Sequence, residues 1–290
     1  MSDTATPPED ATGQDWQAWV GRKETVRERI APERVAALAA TLGVDGEFSA
    51  GAPLPPGWHW IFFNPFVPRH GLGVDGHPKR GGFLPPVSLP RRMWAGGRLT
   101  YDKPLTIGRE AARESTIKKI EVKSGRAGRL VFVTVSHTVD CGDGPCVTEE
   151  QDIVYREAAL PGTSAPAPSP APADAAWSEE VRPDTVLLFR YSALTSNGHR
   201  IHYDQEYARR EENYPDLVVH GPLTATLLQA FAAKHAGKSL RTFEFRGMSP
   251  LFATSPFKLG GKQAEGGANA LDLWASGPGG GLAMRASAEF

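Results

Sequence analysis

The chain has 290 residues, enough for one large domain or two ordinary ones, and its 40% hydrophobic and 22% charged content is that of a folded globular protein. Lys and Arg nearly balance Asp and Glu, and a net charge of -1 excludes general phosphate-backbone binding, which draws on a strong basic excess. Basic clusters at Arg91-Arg92, Lys118-Lys119 and Arg126/Arg129 remain as local sites for a polyanionic cofactor tail.

The polar stretch 1–14 lacks the apolar core of a signal peptide. Trp16, Trp19 and Val20 then have helical i, i+3, i+4 spacing, and Pro32 opens a second helix over 32–42, closed by Gly43. A Pro/Gly-rich stretch from Ala52 to Gly97 carries the aromatic run Trp58 to Phe63, read as a short buried helix in an otherwise looped segment. Strands are predicted at about 98–109, 113–123, 129–140 and 146–157. The third is apolar on both alternating sets, which predicts cover on both faces. Cys141 and Cys146 sit in a turn between the last two, read as incidental; a disulfide scaffold or a zinc site needs more ligands.

Residues 160–174 form a Pro/Ala/Ser run that cannot pack a core and acts as an extended spacer. The boundaries expected are an N-terminal unit over 15–159, a linker over 160–175 and a C-terminal unit over 176–290. In the second unit a strand near 184–191, a helical turn at 192–197, a helix start near Asp204 and a long helix over 221–235 are predicted. Strands follow at 240–247 with 250–260, 269–276 and 281–290. The repeated element order predicts an internal duplication. No apolar run spans a membrane, so no membrane or nucleic-acid partner and a cytoplasmic protein are expected. The run 71–76, Gly-rich as it is, does not follow a strand and open a helix, so it is not a dinucleotide fingerprint.

The chemistry concentrates between Tyr191 and Leu228. Thr195-Ser196-Asn197-Gly198-His199-Arg200-Ile201-His202-Tyr203-Asp204 is followed by Val219-His220-Gly221-Pro222-Leu223 at the start of the long helix. These two elements, in this order, resemble the MaoC-like, or R-specific, hydratase family. Its signature is a Ser/Thr-Gly-Asp-x-Asn-Pro-Ile/Leu-His-x-Asp loop, then Val-His-Gly at the central helix. The segment 76–99 resembles the double-hotdog members that hydrate branched dicarboxylic thioesters, itaconyl-CoA or mesaconyl-C4-CoA (3-methylfumaryl-CoA). The resemblance covers roughly residues 15 to 290 and implies an α+β double hotdog, two antiparallel sheets each wrapped around a central helix. It implies a hydro-lyase acting reversibly on a short 2-enoyl-CoA, with no cofactor beyond the CoA of the substrate and no metal.

Hydration of an α,β-unsaturated thioester needs a proton-transfer group and donors for the enolate oxygen. His202 supplies the first, since a neutral-range imidazole moves protons both ways. Gly221 supplies the second through its backbone N–H at a positive helix end. The family's catalytic Asp aligns with Asn197, which can orient water but cannot titrate. Tyr191 is expected as a wall of the acyl pocket, Arg200 as a carboxylate contact and His220 as support for the helix start. Arg91, Arg92 and Trp94 are candidates for the acyl carboxylate or the CoA phosphates, with loop 70–97 over the site. The first unit has no matching His loop, so one active site per chain and a homodimer of such chains are expected. Three alternatives stay open: a straight-chain 3-hydroxyacyl-thioester dehydratase, a hotdog thioesterase, and a binding module that senses acyl-CoA without turnover.

Overall fold

In the computed structural model, which describes residues 16–125, 128–158, 166–267 and 269–290, ten antiparallel strands join into one sheet. Arg126 and residues 159–165 at the front of the linker lie outside the described residues. The first half contributes β1 (Lys23–Arg29), β2 (Arg91–Tyr101), β3 (Glu110–Gly125), β4 (Gly128–Asp140) and β5 (Pro145–Arg156). The second contributes β6 (Trp177–Val181), β7 (Thr242–Gly247), β8 (Phe257–Gln263), β9 (Ala270–Ser276) and β10 (Leu282–Glu289). The order is β1-β3-β4-β5-β2-β7-β10-β9-β8-β6, so each half runs first-third-fourth-fifth-second from its own edge toward a shared seam. That symmetry is the duplication predicted from element order, and it makes the fold a double hotdog.

The seam is the pairing of β2 with β7, from Gly96 opposite Arg246 to Thr100 opposite Thr242. Two adjacent glycines make it possible. A Cβ on Gly96 would lie 2.5 Å from the Phe245 carbonyl oxygen, and one on Gly97 would lie 2.9 Å from the Phe245 ring. A shift of register between Trp94 and Gly96 marks a bulge that bends β2 into this junction.

The helices are unequally shared. In the second half α4 (Gly221–Ala236) packs on β7 to β10, burying Leu223, Leu228 and Phe231. Pro222 opens it, and Gly237, left-handed at φ 62°, closes it. In the first half α1 (Pro32–Leu42), with the predicted bounds, does not become the central helix. It packs chiefly on α2 (Thr185–Leu194) and on the short 3-10 turn at Trp58–Ile61. The buried Trp58, Trp60, Ile61, Phe62 and Phe63 fill the concave face instead.

Several expectations are corrected. Residues 184–191 are helix α2, capped by the Asp184 side chain on the Leu187 N–H, and the strand lies earlier, at β6. Residues 17–19 form only a 3-10 turn, and β1 was missed because its charged, half-exposed residues give no apolar alternation. On β4 one face is buried, through Val131, Val133, Val135, His137 and Val139. The other face is half-covered, with Lys123 lying 5.0 Å over Phe132. Among the described residues no helix is long and apolar enough to cross a membrane.

Gly96→Ala should destabilise the protein by about 2 kcal/mol or more, because the added methyl meets a backbone oxygen that no rotamer can move. Denaturant unfolding would measure this, and a loss under about 0.5 kcal/mol would show the seam to be adaptable.

Candidate active site

The Asn197–Asp204 loop follows α2 directly. Thr195 ends that helix, and its hydroxyl donates to the Tyr191 carbonyl at 2.7 Å. Ser196 stands where the resembled family has Gly and holds a left-handed backbone at φ 52°. The Asn197 Oδ1 accepts the His199 N–H at 3.0 Å, which fixes the orientation of the amide and turns its NH2 away from the loop backbone. A 3-10 turn, Arg200–His202, then brings His202 inward, and Asp204 caps α3 (Gln205–Arg210) through the Tyr207 N–H at 3.0 Å.

This loop is bonded to the lead-in of α4. The Val218 N–H donates to the Ile201 carbonyl at 3.0 Å, and the His202 Nδ1 meets the Val218 carbonyl at 2.7 Å. A carbonyl only accepts, so Nδ1 carries the hydrogen and Nε2 presents its lone pair. Among the described residues no other hydrogen bond is made by this ring. His220 stacks on it with centroids 3.6 Å apart and 17° between planes, and pairs its own Nε2 with the Ser192 Oγ at 2.8 Å. Burial holds the His202 pKa down to about 4, and burial together with the neighbouring imidazoles keeps His220 well below its ordinary value. Both rings are therefore neutral near pH 7.

Loop 72–78 of the first half clamps the Asn197–Asp204 loop. The Arg200 N–H donates to the Asp75 carbonyl at 2.9 Å. Gly76 and Gly198 touch backbone to backbone, so that a Cβ on Gly76 would fall 1.8 Å from the Gly198 carbonyl oxygen. The expected position of loop 70–97 over the site holds for this segment. His77, held by Asp75 through Nδ1 at 3.1 Å, stacks 4.2 Å from His199, whose ring meets His202 edge-on at 5.6 Å. Burial pushes His199 down to about 2. Asp75, His77 and His199 bring one ligand atom each within 4.8 Å of one another. The carboxylate is already engaged by the His77 N–H and ring.

A cavity of about 290 Å³ opens between the halves. Tyr191, Thr195, Asn197 and Pro222 line it from the second half, and Trp60, Phe63, Trp94, Arg113, His137, Glu149 and Gln151 are among its first-half walls. Tyr191 is thus a pocket wall, fully buried, with its ring 5.0 Å from His220. Gly221 adjoins Pro222 at the start of α4, where no side chain caps the helix and an added Cβ would meet nothing within 4 Å. Trp94 lines the cavity, edge-on to Trp60 at 5.1 Å, and donates to the Gly96 carbonyl at 2.7 Å. His202 is not among the residues lining this cavity.

The cationic residues expected at the substrate, Arg91, Arg92 and Arg200, are not among the residues lining this cavity. Arg200 pairs with Asp204 at 2.7 Å and lies 4.2 Å over Tyr207. Arg91 is ion-paired with Glu212 and donates to the Glu211 carbonyl at 2.7 Å. Arg92 stands near Tyr155 and His77. Lys118 and Lys119 pair with Glu150 and Glu121, and Arg129 lies 5.1 Å over Trp16. Sequence reading missed Asp75, His77, His59, His137, Glu149 and Arg113. Polar residues at inward strand positions of 113, 137 and 149 were the available signal.

Residues 57–253 match the family model of hydroxyacyl-thioester dehydratase type 2. The chain is 49% identical over 280 residues to the mesaconyl-C(4)-CoA hydratase of Chloroflexus aurantiacus, covering 95% of this chain and 98% of the relative. It resembles the crystal structure of a MaoC-like dehydratase from Phytophthora capsici with a TM-score of 0.67 at 14% identity, over 93% of this chain and 95% of that one. A Mycobacterium tuberculosis protein described as a double hotdog matches with a TM-score of 0.57 at 13% identity, over 93% of this chain and 96% of that one.

Burial of neutral His137, His199 and His202 has a consequence for stability. Burial holds His137 down to about 4 as well. Between pH 6.5 and about 4 the unfolded chain takes up protons on these rings while the native state does not. Native stability is therefore expected to fall as pH falls through that window, by up to about 1.4 kcal/mol per pH unit for each ring. Urea titrations at pH 7.5 and 5.0 would show it, with a smaller loss in His202→Gln. Equal stability at the two values would contradict the neutral cluster.

Proposed function

Because this chain belongs to the hydroxyacyl-thioester dehydratase type 2 family and is a hydro-lyase, we propose that it reversibly hydrates a short branched or dicarboxylic 2-enoyl-CoA, with mesaconyl-C4-CoA or itaconyl-CoA as the substrate type. The observation that carries the mechanism is the bond from the His202 Nδ1–H to the Val218 carbonyl, which leaves Nε2 as a base beside the start of α4.

Nε2 of His202 takes a proton from water as the water oxygen bonds to the β-carbon of the enoyl group. Electron density moves onto the thioester oxygen, where the Gly221 N–H and the positive end of α4 stabilise it. The imidazolium then delivers its proton to the α-carbon on the same face, giving syn addition and restoring the neutral ring. Dehydration runs the same steps backwards. The stacked His220 is neutral and adds no charge beside His202 in the resting state. Asn197 holds the loop with its Oδ1 and offers its NH2 toward the cavity, so its part is to orient water or acyl group, not to titrate.

Helix α4 offers Thr224, Thr226 and Gln229 on its buried side and no carboxylate, and the Tyr101 hydroxyl donates to Gln229. That favours hydration over thioester hydrolysis. The same reading takes the protein as a cytoplasmic homodimer, with β1 and β6, the outermost strands among the described residues, and the exposed Val186 and Phe189 of α2 as surface for a second copy.

The test is a screen of crotonyl-, itaconyl- and mesaconyl-C4-CoA at the enoyl-thioester absorbance, with products identified by mass. Release of free thiol would replace hydration with hydrolysis, and binding without absorbance change would make the protein a sensor. His202→Ala should lower kcat by about 10³-fold with the fold intact. Asn197→Asp should stay within about tenfold of wild type, since a carboxylate keeps the acceptor for the His199 N–H, whereas Asn197→Ala should lose about 10²-fold. Gly221→Ala should fold normally, given the open space around it, yet lose activity because the methyl blocks approach of the thioester.

A further inference from the structure

The first half carries polar chemistry that the hydration steps leave unused. Register places Ser115 opposite His137 and His137 opposite Glu149, a row across β3, β4 and β5. Positions two apart on a strand share a face, so Arg113 joins Ser115 on β3 and Gln151 joins Glu149 on β5. All of these but Ser115 line the cavity that Asn197 and Pro222 also line.

Within this row the acceptors are saturated and the donors are not. Glu149 receives Trp60 Nε1 at 3.0 Å, Gln151 Nε2 at 2.9 Å and His59 Nε2 at 3.1 Å. Burial alone would raise its pKa, but the hydrogen bond and charge of His59 hold it down to about 2. Arg113 donates to the Phe63 carbonyl at 3.0 Å, while its Nε has no acceptor and no carboxylate lies within ion-pair distance among the described residues. The carboxylates that face it from further away are Glu149, Glu24 on the cavity wall, and Glu28, which is bound by Arg34 and the Phe63 N–H. His137 is only 6% exposed and meets Ser115 Oγ at 2.8 Å through Nδ1; in the tautomer in which the Ser115 hydroxyl donates to Nδ1, Nε2 carries a hydrogen that has no acceptor. A sheltered guanidinium and imidazole with unmatched donors constitute a site for an anion.

We propose that Arg113, with His137 and Gln151, binds the free carboxylate of a dicarboxylic enoyl-CoA at the first-half wall of the cavity, while the thioester end meets Asn197 and Gly221. This rests on the hydratase reading and assigns selectivity to the half that lacks the catalytic loop. Arg91 and Arg200 are not used for it, being ion-paired with Glu212 and Asp204.

The experiment compares kcat/KM for mesaconyl-C4-CoA and for crotonyl-CoA, which lacks the second carboxylate. Arg113→Gln should lower the dicarboxylic value by about 100-fold and leave the crotonyl value within about threefold, as loss of a charge-assisted contact to a bound anion demands. Arg113→Lys should recover part of the difference, since it restores charge without the planar fork. If Arg113→Gln does not fold, as judged by its melting curve, His137→Phe decides, with an expected rise of about tenfold in KM for the dicarboxylic substrate alone. An unchanged selectivity ratio, or an equal loss on both substrates, overturns the assignment. Wild type that hydrates both substrates equally also overturns it and leaves the hydratase intact, whereas wild type that hydrates neither removes the hydratase reading itself.

Discussion

The hydrogen bond between His202 Nδ1 and the Val218 carbonyl is the contact on which the site depends. It joins a loop that leaves α2 to a segment that enters α4, and it decides which imidazole nitrogen carries the proton. A backbone acceptor cannot rotate away or change its protonation, so the tautomer is set by the fold itself. Neighbouring backbone bonds make that acceptor rigid. The Val218 N–H binds the Ile201 carbonyl at 3.0 Å, and the Val219 N–H binds the Leu251 carbonyl at 2.8 Å. The residue bonded to His202 and the Gly221 N–H are thus separated by only the few residues from Val218 to His220.

The second constraint comes from the other half of the molecule. Gly76 and Gly198 approach so closely that neither tolerates a Cβ, and the Arg200 N–H and guanidinium bind the carbonyls of Asp75 and Val74. The Asn197–Asp204 loop is therefore held between the α4 lead-in and a loop from the first half. The Arg200 guanidinium, expected as a substrate contact, binds Asp204 on its own loop and the Val74 carbonyl on the clamp. The clamp delivers His77 onto His199, and burial lowers the pKa of all four adjoining imidazoles, His77, His199, His202 and His220.

Much of this was legible in the sequence because its signals are local. Pro32 and Gly43 bracket α1, Gly221 with Pro222 starts α4, and the Asn197 to Asp204 spacing marks the loop. What was illegible depends on strand register and on contacts between halves. Arg113, His137 and Glu149 are far apart in sequence and meet only because three strands align. Residues 184–191 read as a strand because Val186, Leu187, Leu188 and Phe189 form an apolar run. Val186 and Phe189 are in fact exposed on a helix, and no periodicity rule distinguishes a short apolar helix from a strand.

The two halves share one strand order yet differ in what fills their concave faces, and this difference divides the work. The second half has a long helix, whose N-terminus presents uncapped backbone N–H groups and the positive end of its dipole. The first half has only a 3-10 turn there, and the turn inserts His59 and Trp60 against Glu149. Anchoring a carboxylate on the floor of an apolar hotdog is costly unless its oxygens are saturated, and here they are. Once Glu149 is fixed, it orders the donors around it and leaves Arg113 and His137 unmatched on the cavity wall. A 3-10 turn in place of a long helix therefore leaves room for polar side chains on the first-half wall of the cavity, and the seam at Gly96 and Gly97 joins that half to the one that carries the Asn197–Asp204 loop.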